Sequence, residues 1–322
     1  MKAAYHGTRA LGIRTLLTVS PELLAGVRYR IAWGRWPDFE NPITFDEKLL
    51  WLNFYWRHPL KTECADKFTL RGYVEQQGLG HLLPRLYGVY ESVEAIDFDA
   101  LPMPCVLKCS HGCKCNVFIH SENALDVNSI RRNLTRWMAT DYSTLLGELH
   151  YAGMNPRIIC EEFLDDGSKH KLPIDYKLFC FQGKTFCTMT ATERDPNGIA
   201  RLAFYDLPWN SQLPYCRPDL APDVEIPVPE AYGEMVECAE RLARPFPFTR
   251  VDFYSVKGRA KLGEMTFTPG ACVSADYMTT VAQRELGTLL ELPRPLGENG
   301  NWGVLASDSR GVAGSAGVRS LL

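Results

Sequence analysis

Two carboxylates and an arginine between residues 250 and 270 carry the clearest chemical signal in this chain. Arg250-Val-Asp-Phe-Tyr-Ser-Val and Ala260-Lys-Leu-Gly-Glu-Met-Thr-Phe flank Lys257-Gly258-Arg259. Two β-prone runs around such a tripeptide read as an antiparallel hairpin. Side chains alternate along a strand, so register decides which residues meet. A three-residue loop pairs Val256 with Ala260, sets Asp252 opposite Glu264, and sets Arg250 opposite Thr266 on one face. Val251, Phe253, Met265 and Phe267 fall on the other, apolar face. The Cβ atoms of directly opposed residues lie ~5 Å apart. Two carboxylates at that distance repel, and a cation between them removes the penalty. Oxygen-only ligands of this kind suit Mg²⁺, which completes its octahedron with water and phosphate. On this reading, neutralising either carboxylate relieves repulsion and leaves the metal-free fold intact or more stable. A wet polar strand face accounts for the same alternation without any metal.

Other stretches hold further candidates. Lys67 and Arg71 stand one turn apart in a helix read over 65–77. A strand over 102–108 ends in Lys108, a second runs over 115–120, and Cys109-Ser-His-Gly-Cys-Lys-Cys-Asn116 lies between. Cys109, His111, Cys113 and Cys115 are zinc-ligand types, but they crowd onto one hairpin without the paired spacing of structural zinc sites. A plain hairpin loop is one alternative. The other is a phosphate loop, in which exposed backbone amides and Lys108 satisfy phosphate oxygens. Glu161 and Glu162 close a strand over 157–164. Asp175 and Lys177 share a strand face, where an opposite charge is also the ordinary way to accommodate a strand lysine.

Arg250-Val-Asp-Phe followed by Gly263-Glu-Met-Thr-Phe-Thr-Pro-Gly270 resembles the C-terminal signature of ATP-grasp enzymes. Lys171-Leu-Pro-Ile-Asp-Tyr-Lys-Leu-Phe and the later Gly183-Lys184 resemble the TupA-like branch more closely than the superfamily at large. The matching blocks run from about Pro42 to Leu290. The resemblance implies an α+β ATP-grasp fold, with the nucleotide held between two mainly antiparallel sheet lobes and a helical N-terminal region. ATP and Mg²⁺ are the implied cofactors. Asp252, Glu264 and Thr266 fall on the metal, with Thr266 standing where many ATP-grasp proteins have Asn. Lys67 and Lys108, the loop residues Ser110, His111, Gly112 and Asn116, and the carboxylates Glu161, Glu162 and Asp175 fall on the nucleotide. Arg250, Lys177 and Arg194 fall at the reacting groups, and Arg71 is a candidate for the acyl substrate. The implied reaction turns a carboxylate into an acyl phosphate that an amine captures as an amide. In the TupA-like branch the carboxylate is expected on a uronic acid of a cell-surface polysaccharide. A phosphotransferase that stops at a phosphorylated product, and a nucleotide-binding protein weak in catalysis, use the same ATP site.

The rest of the chain must position these groups. Its 322 residues exceed one typical domain. The division read here is a helical region over 1–100, grasp lobes over 101–165 and 166–295, and a disordered tail over 296–322. With 46% hydrophobic and 23% charged residues and a net charge of -3, the composition is globular and gives no reason to expect nucleic acid. No apolar run reaches ~18 residues, and eleven cysteines without regular spacing point to a reduced, cytoplasmic protein. Residues 1–36 carry six Lys and Arg against Glu22 alone, interleaved with leucines, Trp33 and Trp36. Such a segment suits the anionic inner face of a membrane, and equally a helix packed on the body with its arginines in water. Thr44 and Glu47 form a capping box, helices are read over 126–140 and 230–244, and six prolines within 206–230 exclude regular structure there.

Overall fold

Helices begin where the sequence supplies their caps. In the computed structural model, which describes residues 20–121, 126–167, 172–192, 200–296 and 301–302, helix α1 spans Pro21–Trp33 behind the side-chain cap of Ser20. It belongs to the body, because Leu24, Ala25 and Tyr29 are buried. Helix α2, Phe45–Tyr55, opens on the expected capping box of Thr44 and Glu47. The helix read over 65–77 begins later, as α4 (Thr69–Gln76), behind a separate helix α3 (Pro59–Ala65). Asp66 divides them by accepting the amides of Phe68 and Thr69 at 2.8 and 3.0 Å, a local bond that competes with the helix ladder. Lys67 therefore stands in a break between helices, not one turn ahead of Arg71.

Strands β1 (Leu86–Tyr90), β2 (Cys105–Cys109), β3 (Asn116–Ile119) and β4 (Ile158–Glu162) form an antiparallel sheet in the order β1-β4-β2-β3. The sequence reading assigned no strand at 86–90. That edge strand has no fully buried face, so no apolar alternation announces it. Helix α5 (Val127–Met138) packs behind the sheet, with Leu134 among Cys105, Leu107 and Cys160. The short α6 (Tyr142–Leu146) follows.

The second antiparallel sheet contains β5 (Asp175–Phe181), β6 (Lys184–Thr192), β7 (Arg201–Asp206), β8 (Gln212–Leu213), β9 (Phe248–Val256) and β10 (Arg259–Thr266). Their order is β10-β9-β5-β6-β7-β8. One face buries Val251, Phe253, Leu262 and Met265 in the main core with residues of α2 and of α7 (Tyr232–Ala243). Phe45 of α2 meets Phe248 edge-on at 5.1 Å. Helix α8, Thr280–Leu289, lies against α2. Between β7 and α7 the described structure is mostly irregular, as the prolines require, apart from β8 and a turn of 3₁₀ helix at Pro218–Leu220.

The β9–β10 hairpin turns differently from the sequence reading. Val256 pairs with Arg259, so the loop is Lys257-Gly258, both at positive φ, a two-residue turn matched to strand twist. The register then slips by one between Leu262 and Glu264. A bulge inserts one residue and re-aims the side chains beyond it. Gly263 supplies it, where a Cβ would press to 3.0 Å from the Tyr254 ring. Beyond the bulge, Glu264 pairs with Asp252, Met265 with Val251 and Thr266 with Arg250, as expected.

Candidate active site

The polar faces of the two sheets meet at Lys67. Its backbone N–H donates to Ser110 O at 3.0 Å, and its Nζ donates to Gly112 O at 2.7 Å. The same Nζ lies 3.4 Å from Glu264 Oε2, so one side chain joins the loop after β2 to strand β10. On the larger sheet, Lys177 pairs with Asp252 in register. Lys177 Nζ reaches Asp252 Oδ2 at 2.6 Å and Asp175 at 3.4 Å. Arg250 grips Asp252 with two bonds of 2.7 Å and donates to Thr266 Oγ1 at 3.1 Å. Thr266 in turn donates to Glu264 Oε1 at 3.3 Å.

These contacts correct the electrostatics expected from the hairpin alone. Asp252 and Glu264 do face one another, but Lys67, Lys177 and Arg250 surround them. Burial works against the charge of Glu264, yet Lys67, Lys177 and Arg250 pull its pKa down to about 2. Burial also opposes the charge of Arg250, and Asp252 overcomes it and raises the pKa. For Lys177 burial wins over Asp252 and lowers the pKa. Asp252 is buried, and its oxygens are committed to Arg250 and Lys177. Glu264 is different: its side chain is 34% exposed and its nearest cation is 3.4 Å away. The uncompensated repulsion predicted from sequence is absent, because cations from β5, β9 and the α3–α4 break arrive through tertiary structure.

On the smaller sheet, Lys108 and Glu161 share the face turned to α4. Lys108 Nζ meets Glu161 Oε2 at 2.7 Å, and Arg71 meets Glu161 Oε1 at 2.9 Å. Arg71 also donates to Pro84 O. Glu161 is thus the counter-ion that orients Lys108, and Arg71 is bound to it instead of standing free for an acyl group. Glu162 leads into a cleft of about 620 Å³ between residues 162–167 and the hairpin tip at 256–261. Val256, Arg259 and Lys261 lie on the same face of the hairpin as Asp252, because the bulge restores the alternation. The cleft therefore continues the charged cluster toward the hairpin turn.

The loop at 109–116 is built differently from the expected ring of free amides. Ser110 is fully buried, donates its hydroxyl to Asp66 at 2.7 Å and its amide to Arg157 O at 2.8 Å. His111 is buried, its ring edge-on to Tyr142 at 5.5 Å, and burial lowers its pKa so that it is neutral. Neither is a direct phosphate ligand here. Gly112 is required because a Cβ would lie 2.5 Å from the Tyr142 ring. Asn116 is exposed opposite Lys108. The four zinc-type ligands diverge: Cys109 and Cys115 sit in the core, while Cys113 is exposed. Arg194, and residues 297–300 and 303–322 of the tail read as disordered over 296–322, lie outside the described residues; where the tail is described it is ordered, Pro295–Leu296 pairing antiparallel with Asn301–Trp302.

A family model described as TupA-like ATPgrasp matches residues 47–291. The chain belongs to the TupA-like ATP-grasp family. Its two antiparallel sheets and flanking helices are the ATP-grasp fold of α+β class. Among solved structures it is similar to D-alanine–D-alanine ligase from Bacillus anthracis, with 15% identity over 70% of this chain and 63% of that one, at a TM-score of 0.42. It is also similar to phosphoribosylamine–glycine ligase from Thermotoga maritima, with 14% identity over 65% and 48% of the two chains, at 0.39. The ATP-grasp ligase PsnB with its minimal precursor gives 15%, 65% and 54%, at 0.38. The chain spans less than two thirds of each of these proteins. No curated protein matches it.

Some residues around this cluster were not marked in the sequence reading. Asp66 holds Lys67 and Ser110 in place, and its only signal was the Asp-Lys pair. Thr268 lies two residues past the end of β10, where strand alternation no longer places a side chain. Glu148, which accepts from Thr268 at 2.5 Å, had no sequence signal.

Proposed function

We propose that the chain is an ATP-dependent carboxylate–amine ligase that works through an acyl phosphate. The observation that carries this reading is the convergence of Lys67, Lys177 and Arg250 on one partly open carboxylate, Glu264, between two sheets. Lys67, Lys177 and Arg250 gather at the partly exposed Glu264, so their donors can re-partner with the oxygens of an added polyanion such as a triphosphate. The 162–167 cleft accepts a nucleoside at the hairpin end of the same face. The donor set also suits magnesium. Glu264 offers loosely bound oxygens, and Thr266 a neighbouring hydroxyl. Asp252 joins them only by giving up a bond to Lys177 or Arg250. When bound, the ion supplies charge neutralisation of the phosphates.

The protein's own groups do the remaining work. Lys67 and Lys177 neutralise phosphate oxygens, so that a carboxylate can approach the γ-phosphate. Arg250 is fixed by two bonds to Asp252 and one to Thr266, and its Nη1, without a partner among the described residues, can stabilise an acyl phosphate or tetrahedral oxyanion. The family resemblance supports a sugar acid as the carboxylate and a place in cell-surface polysaccharide synthesis. The eleven cysteines, all free thiols, support a reducing, cytoplasmic location. Leu23, Ile31 and Trp36, exposed beside Arg30, support peripheral contact with an anionic membrane. No described helix is long and apolar enough to cross one.

The test is ADP release across a panel of sugar acids and amines, with hydroxylamine as a trap. The ligase reading expects carboxylate-dependent ADP and a hydroxamate. A stable phosphorylated product that accumulates without any amine would overturn it in favour of a phosphotransferase. ATP binding without ADP release would identify a nucleotide-binding protein.

A further inference from the structure

Most of the buried carboxylates among the described residues are saturated. Glu47 holds Arg35, Glu161 holds Lys108 and Arg71, Asp175 neighbours Lys177, and Asp252 holds Arg250 and Lys177. Asp46 takes Trp33 and both polar groups of Ser274, and Asp66 takes two amides and Ser110. Glu148 is the exception. It is only 6% exposed, it accepts one hydrogen bond, from Thr268 Oγ1 to its Oε1, and Oε2 has no partner among the described residues.

Its position is set beyond the strand. Thr268 lies two residues past the end of β10, and the charge of Glu264 reaches Glu148. Tyr151 stands within the fields of Glu148, Glu264 and Arg250 together, so Glu148 borders the same cluster.

We propose that Glu148 is the group that binds the amine substrate as its ammonium ion and takes its proton. The proposal rests on the ligase reading above. Glu148 carboxylate accepts one proton from R–NH₃⁺, and the freed lone pair forms the C–N bond at the acyl carbon. The C–O bond to phosphate then breaks, its electron pair leaving with the phosphate. The second N–H proton goes to that phosphate, and Glu148 returns its proton to solvent.

The surroundings suit the role. Arg28 of α1 spends its guanidinium on the carbonyls of Leu146, Gly270 and Ala271. Lys61 of α3 donates to Leu52 O at 3.4 Å. Both cations act on Glu148 through space without bonding it. Glu264 from β10, Tyr151, Cys113 and Cys272 complete the titratable groups around it. Burial raises the Glu148 pKa, and Thr268, Arg28 and Lys61 only partly offset this. A carboxylate of raised pKa is a better base near neutrality.

The experiment compares an alkyl amine with hydroxylamine, which is largely unprotonated at neutral pH and needs no base to free its lone pair. Wild-type hydroxamate formation is the control, and its absence would count against the ligase reading itself, not against Glu148. In Glu148→Gln, turnover with the alkyl amine should fall about a hundredfold or more, and turnover with hydroxylamine far less. The plateau of the alkyl-amine pH profile should be lost, the rate instead rising with pH toward the pKa of the amine, because only unprotonated amine then reacts. Thr268→Ala, which removes one donor to the carboxylate and keeps the charge, should shift the acid limb of the profile to higher pH. Equal losses with both nucleophiles in a folded Glu148→Gln protein, or an unmoved limb in Thr268→Ala, would overturn the assignment.

Discussion

Replacing Asp252 by Asn separates two accounts of the central carboxylates. If Asp252 and Glu264 were an uncompensated pair, removing one charge would stabilise the protein without its metal. The structure predicts the reverse for Asp252. That side chain is 2% exposed and holds Arg250 through two bonds of 2.7 Å and Lys177 through one of 2.6 Å. Asn retains a single acceptor oxygen and leaves two buried cations without their counter-charge. Breaking a buried ion pair from one side costs about 3–5 kcal/mol. At about 2–4 °C per kcal/mol for a protein of this size class, the melting temperature should fall on the order of 10 °C. Glu264→Gln provides the internal comparison. Its side chain is 34% exposed and its ion contacts are 3.4 and 3.8 Å long, so solvent screens them and its loss costs less than that of Asp252. Both variants should lower ADP formation roughly a hundredfold or more. Thermal unfolding of nucleotide-free and metal-free protein is the deciding assay. A Asp252→Asn protein that melts at or above the wild type would refute the reasoning, and so would a Glu264→Gln loss as large as that of Asp252→Asn.

Asp46 supplies a pH signature, because burial raises its pKa to about 6 against the bonds from Ser274, Trp33 and Gln283. A carboxyl whose folded pKa is raised binds its proton more tightly in the native state, so this contribution is present below pH ~4 and lost as pH rises to ~6. Asp46→Asn should match the wild type at pH 4 and gain on the order of 2 kcal/mol above pH 6, and unfolding curves at the two pH values check it. Lys108→Ala removes the cation that Glu161 orients, and calorimetry should show ATP affinity reduced about tenfold or more. Val256→Trp fills the cleft beside the 162–167 segment, so KM for ATP should rise while the melting temperature stays at the wild-type value.

The sequence by itself determined the pairing that defines this site. Alternation set Arg250, Asp252, Glu264 and Thr266 on one face and the apolar residues on the other, and that depends only on neighbours along two strands. Capping chemistry likewise placed the start of α2, since Thr44 and Glu47 act within one helical turn. Even the mistaken turn did no harm at the site, because Gly263 absorbs the extra residue as a bulge. What tertiary structure alone decided is which charges share the space in front of that face. Lys67, Lys177 and Glu148 arrive from an interhelical break, a neighbouring strand and a short helical turn, at sequence distances where periodicity carries no information. Their arrival reverses the predicted electrostatics, turning a repelling pair into a carboxylate cluster held by cations. Ser110 and His111 show the same limit from the other side. Their residue types suit a phosphate loop, but folding buries both, Ser110 bonded to Asp66 and His111 packed edge-on against Tyr142.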